Sequence, residues 1–488
     1  MLTRRTVIAG LAHAGASPAW AATELSPAAV RGDIAILRRA YQTLHPGLYR
    51  YSTPGQTATR FEALERAWSK AQTLGEAYLS LSRFLGTVRC GHTYANFYNQ
   101  KRTVSDALFA GRTRLPFQFI WRNDRVVVTR NLSDDPRLAP GAEVLSVNGR
   151  DAGAIRRGLM PYARADGHND AKRRALIEVR GDGRFETFDI FHPLVFGPPG
   201  DAFRLRVRPF GGQVVTMEAA PIDLAERRAA MKASADENAP AWTFAIDDGV
   251  GVLTMPNWAL YNSTWDWRAF LDGVFVQLAD ASVRGLIIDL RGNEGGLDCG
   301  DPILARLTAR EITLGGDERR VRYRKTPPDL DPYLDTWDDS FRDWGVDAID
   351  LGDGFYRLTD RRADGAGVNL IRPLGPRFTD PVIVIVDAQN SSATFQFAAA
   401  VQANGLGRLM GSPTGGNRRG SNGGAFFFLR LPGCGLEADL PLIGRFPRTP
   451  QADAGLLPDI MAQDSIADIA AGRDGVLATA RARLTSRT

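Results

Sequence analysis

The chain has 488 residues, 44% hydrophobic and 24% charged, with a formal net charge of +5. That is the balance of a globular protein long enough for two to four domains. It offers no basic run interleaved with aromatics for nucleic acid and, past the first 21 residues, no stretch of about 20 apolar residues to span a membrane.

The N-terminus, "MLTRRTVIAGLAHAGASPAWAATE", places Arg4 and Arg5 before an apolar run and closes on Ala19-Trp20-Ala21. A basic start, an apolar middle and an A-x-A site mark residues 1–21 as a secretory signal of the twin-arginine type. The expectation is a periplasmic or secreted protein starting near Ala22. Loss of the two arginines lowers the formal charge from +5 to +3. The three cysteines, Cys90, Cys299 and Cys434, are too few and uneven for a disulfide framework. No cysteine pair or HExxH spacing points to zinc, and no organic cofactor is implied.

Ser26-Pro27 reads as a helix cap with proline in the first turn, and Val30, Ile34, Leu37, Tyr41 and Leu44 recur at helical spacing. Residues 24–104 are expected to form a helical domain ending in "VRCGHTYANFYN". From residue 105 the period changes to two. "FQFIWRNDRVVVTRNL" predicts a hairpin turning at Asn123-Asp124. "LAPGAEVLSVNGRDAGAIRRGL" predicts a strand, a turn and a helix. A glycine-led strand ending in "VNG" resembles a PDZ-like module, assigned here to 105–238, which would hold a peptide end by strand addition; an ordinary small β-domain is the alternative. Over 240–470 strands and helices alternate, which predicts βαβ crossovers and a mainly parallel sheet. Residues 311–378 read as an insertion, and 471–488 as a C-terminal helix.

The chemistry gathers at two strand ends. "DPVIVIVDAQNSSATFQFAAAVQANG" is a buried strand, a polar turn and a helix starting at Ser392. Catalytic groups sit at the carboxyl ends of parallel strands, and a helix N-terminus stabilises an oxyanion. Serine is also a preferred cap, so this stretch alone leaves both readings open. "LIIDLRGNEGG" ends in Gly295-Gly296, where backbone amides could approach a substrate carbonyl, or which could form a plain tight turn.

Together, "IIDLRGNEGG", the 380–405 block and "GSPTGG" resemble the tail-specific, or C-terminal processing, serine peptidases, whose crotonase-like α/β fold is shared by the tricorn core. The resemblance implies Ser392 as nucleophile, Ser391 as its neighbour, and an oxyanion site from the N–H of Ala393 and of Gly295 or Gly296. It departs at the base: the family lysine position is Asn417, and no lysine follows Lys325. A serine–lysine dyad at that position is excluded. The histidine-using tricorn-like relatives point to His92 in "CGHTY", with Gly91 in place of the tricorn serine. They point to Asp453, or in reserve Asp459, as the acid that orients the base. His45, His168 and His192 lie elsewhere. The expectation is a serine peptidase acting on protein or peptide substrates without metal. The alternative is a binding protein that kept the scaffold, as the retinoid-binding relatives did.

Overall fold

The computed structural model describes residues 24–486, apart from 71, 182, 233–241, 315–316 and 360–369. The signal at 1–21 and the expected boundary at 238 lie outside these residues. Pro27–Leu44 begins as read, with the Ser26 side chain accepting from Ala29 N–H. Two further helices, Pro54–Trp68 and Leu74–Gly86, each open with a capping box. Arg102–Phe109 is helical across the expected boundary at 104.

The second region carries a six-stranded sheet: Phe117–Arg122, Arg125–Asn131, Glu143–Val147, Phe203–Arg208 and Val215–Ala219 lie in that order, and the short Arg150–Asp151 pairs with Glu143–Val147 off this path. The first two strands are the expected hairpin. A short helix, α1 (Asp170–Leu176), capped by Asn169, leaves this region toward the core.

The core sheet has six strands: β1 (Thr243–Asp247), β2 (Val250–Thr254), β3 (Gly285–Asp289), β4 (Val382–Val386), β5 (Arg408–Gly411) and β6 (Ile460–Met461). They lie in the order β6-β5-β4-β3-β2-β1. All neighbours from β2 to β6 are parallel, and β1 alone runs antiparallel. Alternation places Val382, Val384 and Val386 under α2 (Trp267–Asp280), α3 (Asp301–Leu307) and α4 (Ser392–Ala403). Ile383 and Ile385 face the other side, under Val476 and Ala480 of α5 (Gly475–Thr485). A sheet covered on both faces explains the unbroken "VIVIV".

The expected insertion is not separate. Glu318–Val321, Leu334–Asp335, Ala348–Asp350 and Tyr356–Leu358 join the long hairpin Asn422–Arg430 and Glu437–Phe446 in a third, antiparallel sheet. Its apolar face shares one continuous core with the N-terminal helices and the second region.

Candidate active site

The turn between β4 and α4 is fixed by Asn390, fully buried. Its Nδ2 donates to the carbonyls of Leu290 at 2.6 Å and Asn293 at 3.0 Å, and its Oδ1 accepts from Asp387 N–H at 2.7 Å. Its own carbonyl accepts from Gly415 and Gly416. Held this way, Ser391 is extended, but Ser392 is left-handed at φ 53°. A non-glycine residue there stores about 1–3 kcal/mol of strain, and such strain concentrates at functional sites. Ser391 stands at the cap position yet caps nothing. Its hydroxyl donates to Glu294 O at 3.1 Å and accepts from Lys172 Nζ at 3.2 Å. Ser392 lies on the wall of a cavity of about 250 Å³.

The glycine loop after β3 forms another wall. Gly295, at φ 101°, leaves so little room that a Cβ would lie 2.8 Å from Ser391 O and 2.9 Å from Ser392 Cβ. Gly296, at φ 142°, abuts the Trp258 carbonyl. The N–H of Gly295 is committed to Asn293 Oδ1 at 2.9 Å, an oxygen that also accepts from Thr394 Oγ1 at 2.9 Å. Of the two glycines, Gly296 therefore fits an oxyanion donor better. Ala393 N–H belongs to the first helical turn, which has no intrahelical acceptor.

His92 lines the same cavity. Its ring packs on Phe426 with centroids 5.8 Å apart, and its buried Nδ1 has no hydrogen-bond partner. Among the described residues no hydrogen bond ties it to Ser392. Burial lowers its pKa, with Arg164 and Lys172 acting the same way and Asp166 and Glu294 opposing. The His92 loop is braced from behind: His45 Nε2 pairs with Thr93 Oγ1 at 2.9 Å, while its Nδ1 accepts Gly47 N–H at 3.1 Å. His45 is thus a buried structural histidine, its pKa pulled by burial to about 3. His192 is also buried, stacked on Phe188.

Asp453 does not meet His92. Its Oδ2 pairs with His168 Nδ1 at 2.5 Å, and its Oδ1 accepts from His168 N–H at 3.0 Å and Asn417 Nδ2 at 2.7 Å. Burial works against its charge, but the hydrogen bonds from His168 and Asn417 prevail and lower its pKa. Asp459 accepts from Leu409 N–H and Gln402, a bracing role between β5 and α4. Three cavity residues went unread in the sequence: Arg164, Asp166 and Lys172. All come from the second region, more than 200 positions before Ser392, and no local pattern marks them. Glu294 sat unremarked between the glycines of "GNEGG". Burial opposes its ionisation, but Lys172 and Arg164 outweigh this and hold it at about 2. Cys90, Cys299 and Cys434 are free and buried.

A strained serine, a glycine-lined niche and a histidine share one cavity, on strands and helices that match a known family. Residues 249–423 match the sequence model of peptidase family S41. That segment of the core carries the sequence pattern of peptidase family S41, a family of serine-type peptidases. Among solved structures, mature CPAF complexed with lactacystin is similar over 94% of this chain and 98% of its own, at 14% identity and a TM-score of 0.63. Mature CPAF alone gives 91% and 94%, again at 14% identity, with a TM-score of 0.60. The photosystem II D1 C-terminal processing protease gives 91% and 97% at 14% identity, with a TM-score of 0.38. At such identities the two CPAF likenesses speak of fold alone. No curated protein matches the chain.

Proposed function

We propose that this protein is a serine peptidase that cleaves peptide bonds through an acyl-enzyme on Ser392, with His92 as general base. The observation that carries the reading is the shared cavity: Ser392, Gly296 and His92 line one wall system. A neutral imidazole takes the serine proton as Oγ attacks the carbonyl, and returns it to the departing amine. The N–H groups of Ala393 and Gly296 receive the oxyanion. Lys172 does not act as the base: its three N–H bonds go to Glu294 Oε2 at 2.8 Å, Gln389 O at 2.7 Å and Ser391 Oγ at 3.2 Å. Burial lowers the Lys172 pKa while Glu294 works against this; held as an ammonium by these bonds, none of which reaches Ser392, it has no lone pair to offer.

Export by the twin-arginine signal and capture of a peptide end by a PDZ-like 105–238 module belong to the same proposal. The module's outer strand Val215–Ala219 lies at a sheet edge, where strand addition takes place. The test is labelling of purified protein by a fluorophosphonate probe alongside peptide hydrolysis. Ser392→Ala is expected to abolish both and His92→Ala to weaken both by at least about 10³-fold. Undiminished labelling of Ser392→Ala would remove Ser392 from the mechanism.

A further inference from the structure

The serine, the histidine and the glycine loop come from distant parts of the chain, and one ten-residue segment binds the glycine loop and the immediate neighbours of the other two. We propose that residues 163–172 form a strap that sets the Ser392 turn against the His92 loop, with Lys172 as its positioning residue. This rests on the Ser392–His92 reading and extends it to the second region.

At the base loop, Gly91 is held on both sides. Its N–H donates to Asp166 Oδ1 at 2.9 Å and its carbonyl accepts from Arg164 Nη1 at 3.2 Å. His92 follows directly. The same Arg164 guanidinium lies 4.5 Å over the Tyr94 ring, so residues on either side of the histidine are gripped. At the nucleophile turn, Lys172, only 1% exposed, binds Gln389 O and Ser391 Oγ, on the N-terminal side of Ser392. At the glycine loop, Glu294 Oε2 accepts from both Arg164, at 3.1 Å, and Lys172. One carboxylate thus joins the two ends of the strap.

The strap is itself anchored. His168 is clasped by Asp453, and Asn169 Nδ2 donates to the carbonyls of Thr414 at 2.9 Å and Gly416 at 2.8 Å. Just beyond it, Ala175 O accepts from Gln389 Nε2 at 3.2 Å and Arg180 pairs with Asp387 at 2.8 Å. Among the described residues, the hydrogen bonds and ion pairs from the second region to the turn fall on Asp387, Gln389 and Ser391, beside the nucleophile. That is the pattern of a template for geometry. It also gives the second region a catalytic duty apart from holding substrate.

A plain charge-balancing role for Lys172 makes a different prediction, and a charge-matched pair separates the two. In Lys172→Met, kcat for peptide hydrolysis and the fluorophosphonate labelling rate are expected to fall about 10²-fold, as a misplacement near 1 Å does, with KM nearly unchanged. In Lys172→Met/Glu294→Gln one positive and one negative charge are removed together, so the net charge of the site is that of the wild type. Under the proposal the rate stays low, because Gln389 O and Ser391 Oγ remain unheld. Recovery of the wild-type rate in the double variant would overturn it. Should these variants fail to fold, Ser391→Ala is read the same way. A slowed kcat at an unchanged melting temperature supports the strap, and an unchanged kcat overturns it. Failure of the underlying reading looks different: Ser392→Ala would then retain label whatever the strap variants do.

Discussion

The nucleophile turn, residues 387–394, and the strap, residues 163–172, meet in one cavity but were specified by opposite means. The turn's own closure is local: Asn390 Oδ1 accepts from Asp387 N–H three residues earlier, and the following helix offers its open N–H groups directly after it, although Asn390 Nδ2 also ties the turn to Leu290 and Asn293 of the neighbouring strand end. The strap is almost wholly non-local. Its bonds to the rest of the chain span from 73 residues, Arg164 to Gly91, to 285 residues, His168 to Asp453. Under the proposed mechanism, the nucleophile is encoded in a short phrase, whereas its alignment with His92 is encoded in the docking of another region.

The sharpest way to break this comparison is to damage the turn from within. Gly295→Ala forces a methyl group against Ser391 O and Ser392 Cβ at a backbone angle that side chains rarely adopt. The turn must shift, and Ala393 N–H shifts with it. We expect kcat to fall by at least about 10²-fold, the loss seen when one oxyanion donor is removed, and the melting temperature to fall as well. Near-normal turnover would show that the left-handed Ser392 is not needed.

The same contrast explains what could be read beforehand. The parallel core was legible because strands buried on both faces leave unbroken apolar runs. Ser392 and the glycine pair were legible because a strand end, a polar turn and a helix start sit together. The resemblance points to Asp453 by its place before "GLLPD", but side-chain direction is a tertiary matter, and its oxygens turn to His168 and Asn417. Lys172 was invisible because "NDAKRRAL" has the look of a solvated helix; only docking buries Lys172 and its neighbour Arg173. The third sheet was hidden too, since the Asn422–Arg430 and Glu437–Phe446 hairpin pairs with strands about 100 residues earlier.

A second prediction concerns the base. Burial disfavours imidazolium at His92 and lowers its pKa. The neutral, proton-accepting form therefore survives to lower pH than an ordinary histidine would allow. The acid limb of kcat/KM is expected below the usual value of about 6.5, falling as pH drops through the lowered pKa. Asp439, also on the cavity wall, is pushed by burial up to about 7. The limb assigned to His92 must therefore persist in Asp439→Asn. Its disappearance there would transfer the titration to the aspartate.

The smallest expected effect tests the strap's outer anchor. In Asp453→Asn the amide oxygen can still accept from His168 N–H, but the charged partner of Nδ1 is gone. The histidine side chain is 56% exposed, and pairs at that exposure contribute about 1 kcal/mol or less. Asn169 still fastens the strap to Thr414 and Gly416, so Arg164, Asp166 and Lys172 should remain seated. Thermal melting should move by a few degrees at most, and labelling of Ser392 should slow far less than in Lys172→Met. A loss matching that of His92→Ala would mean that Asp453 serves the base after all, through a rearrangement that breaks its bond to His168. The alignment of serine and histidine would then rest on the core's own C-terminal segment, and the division between turn and strap would fail.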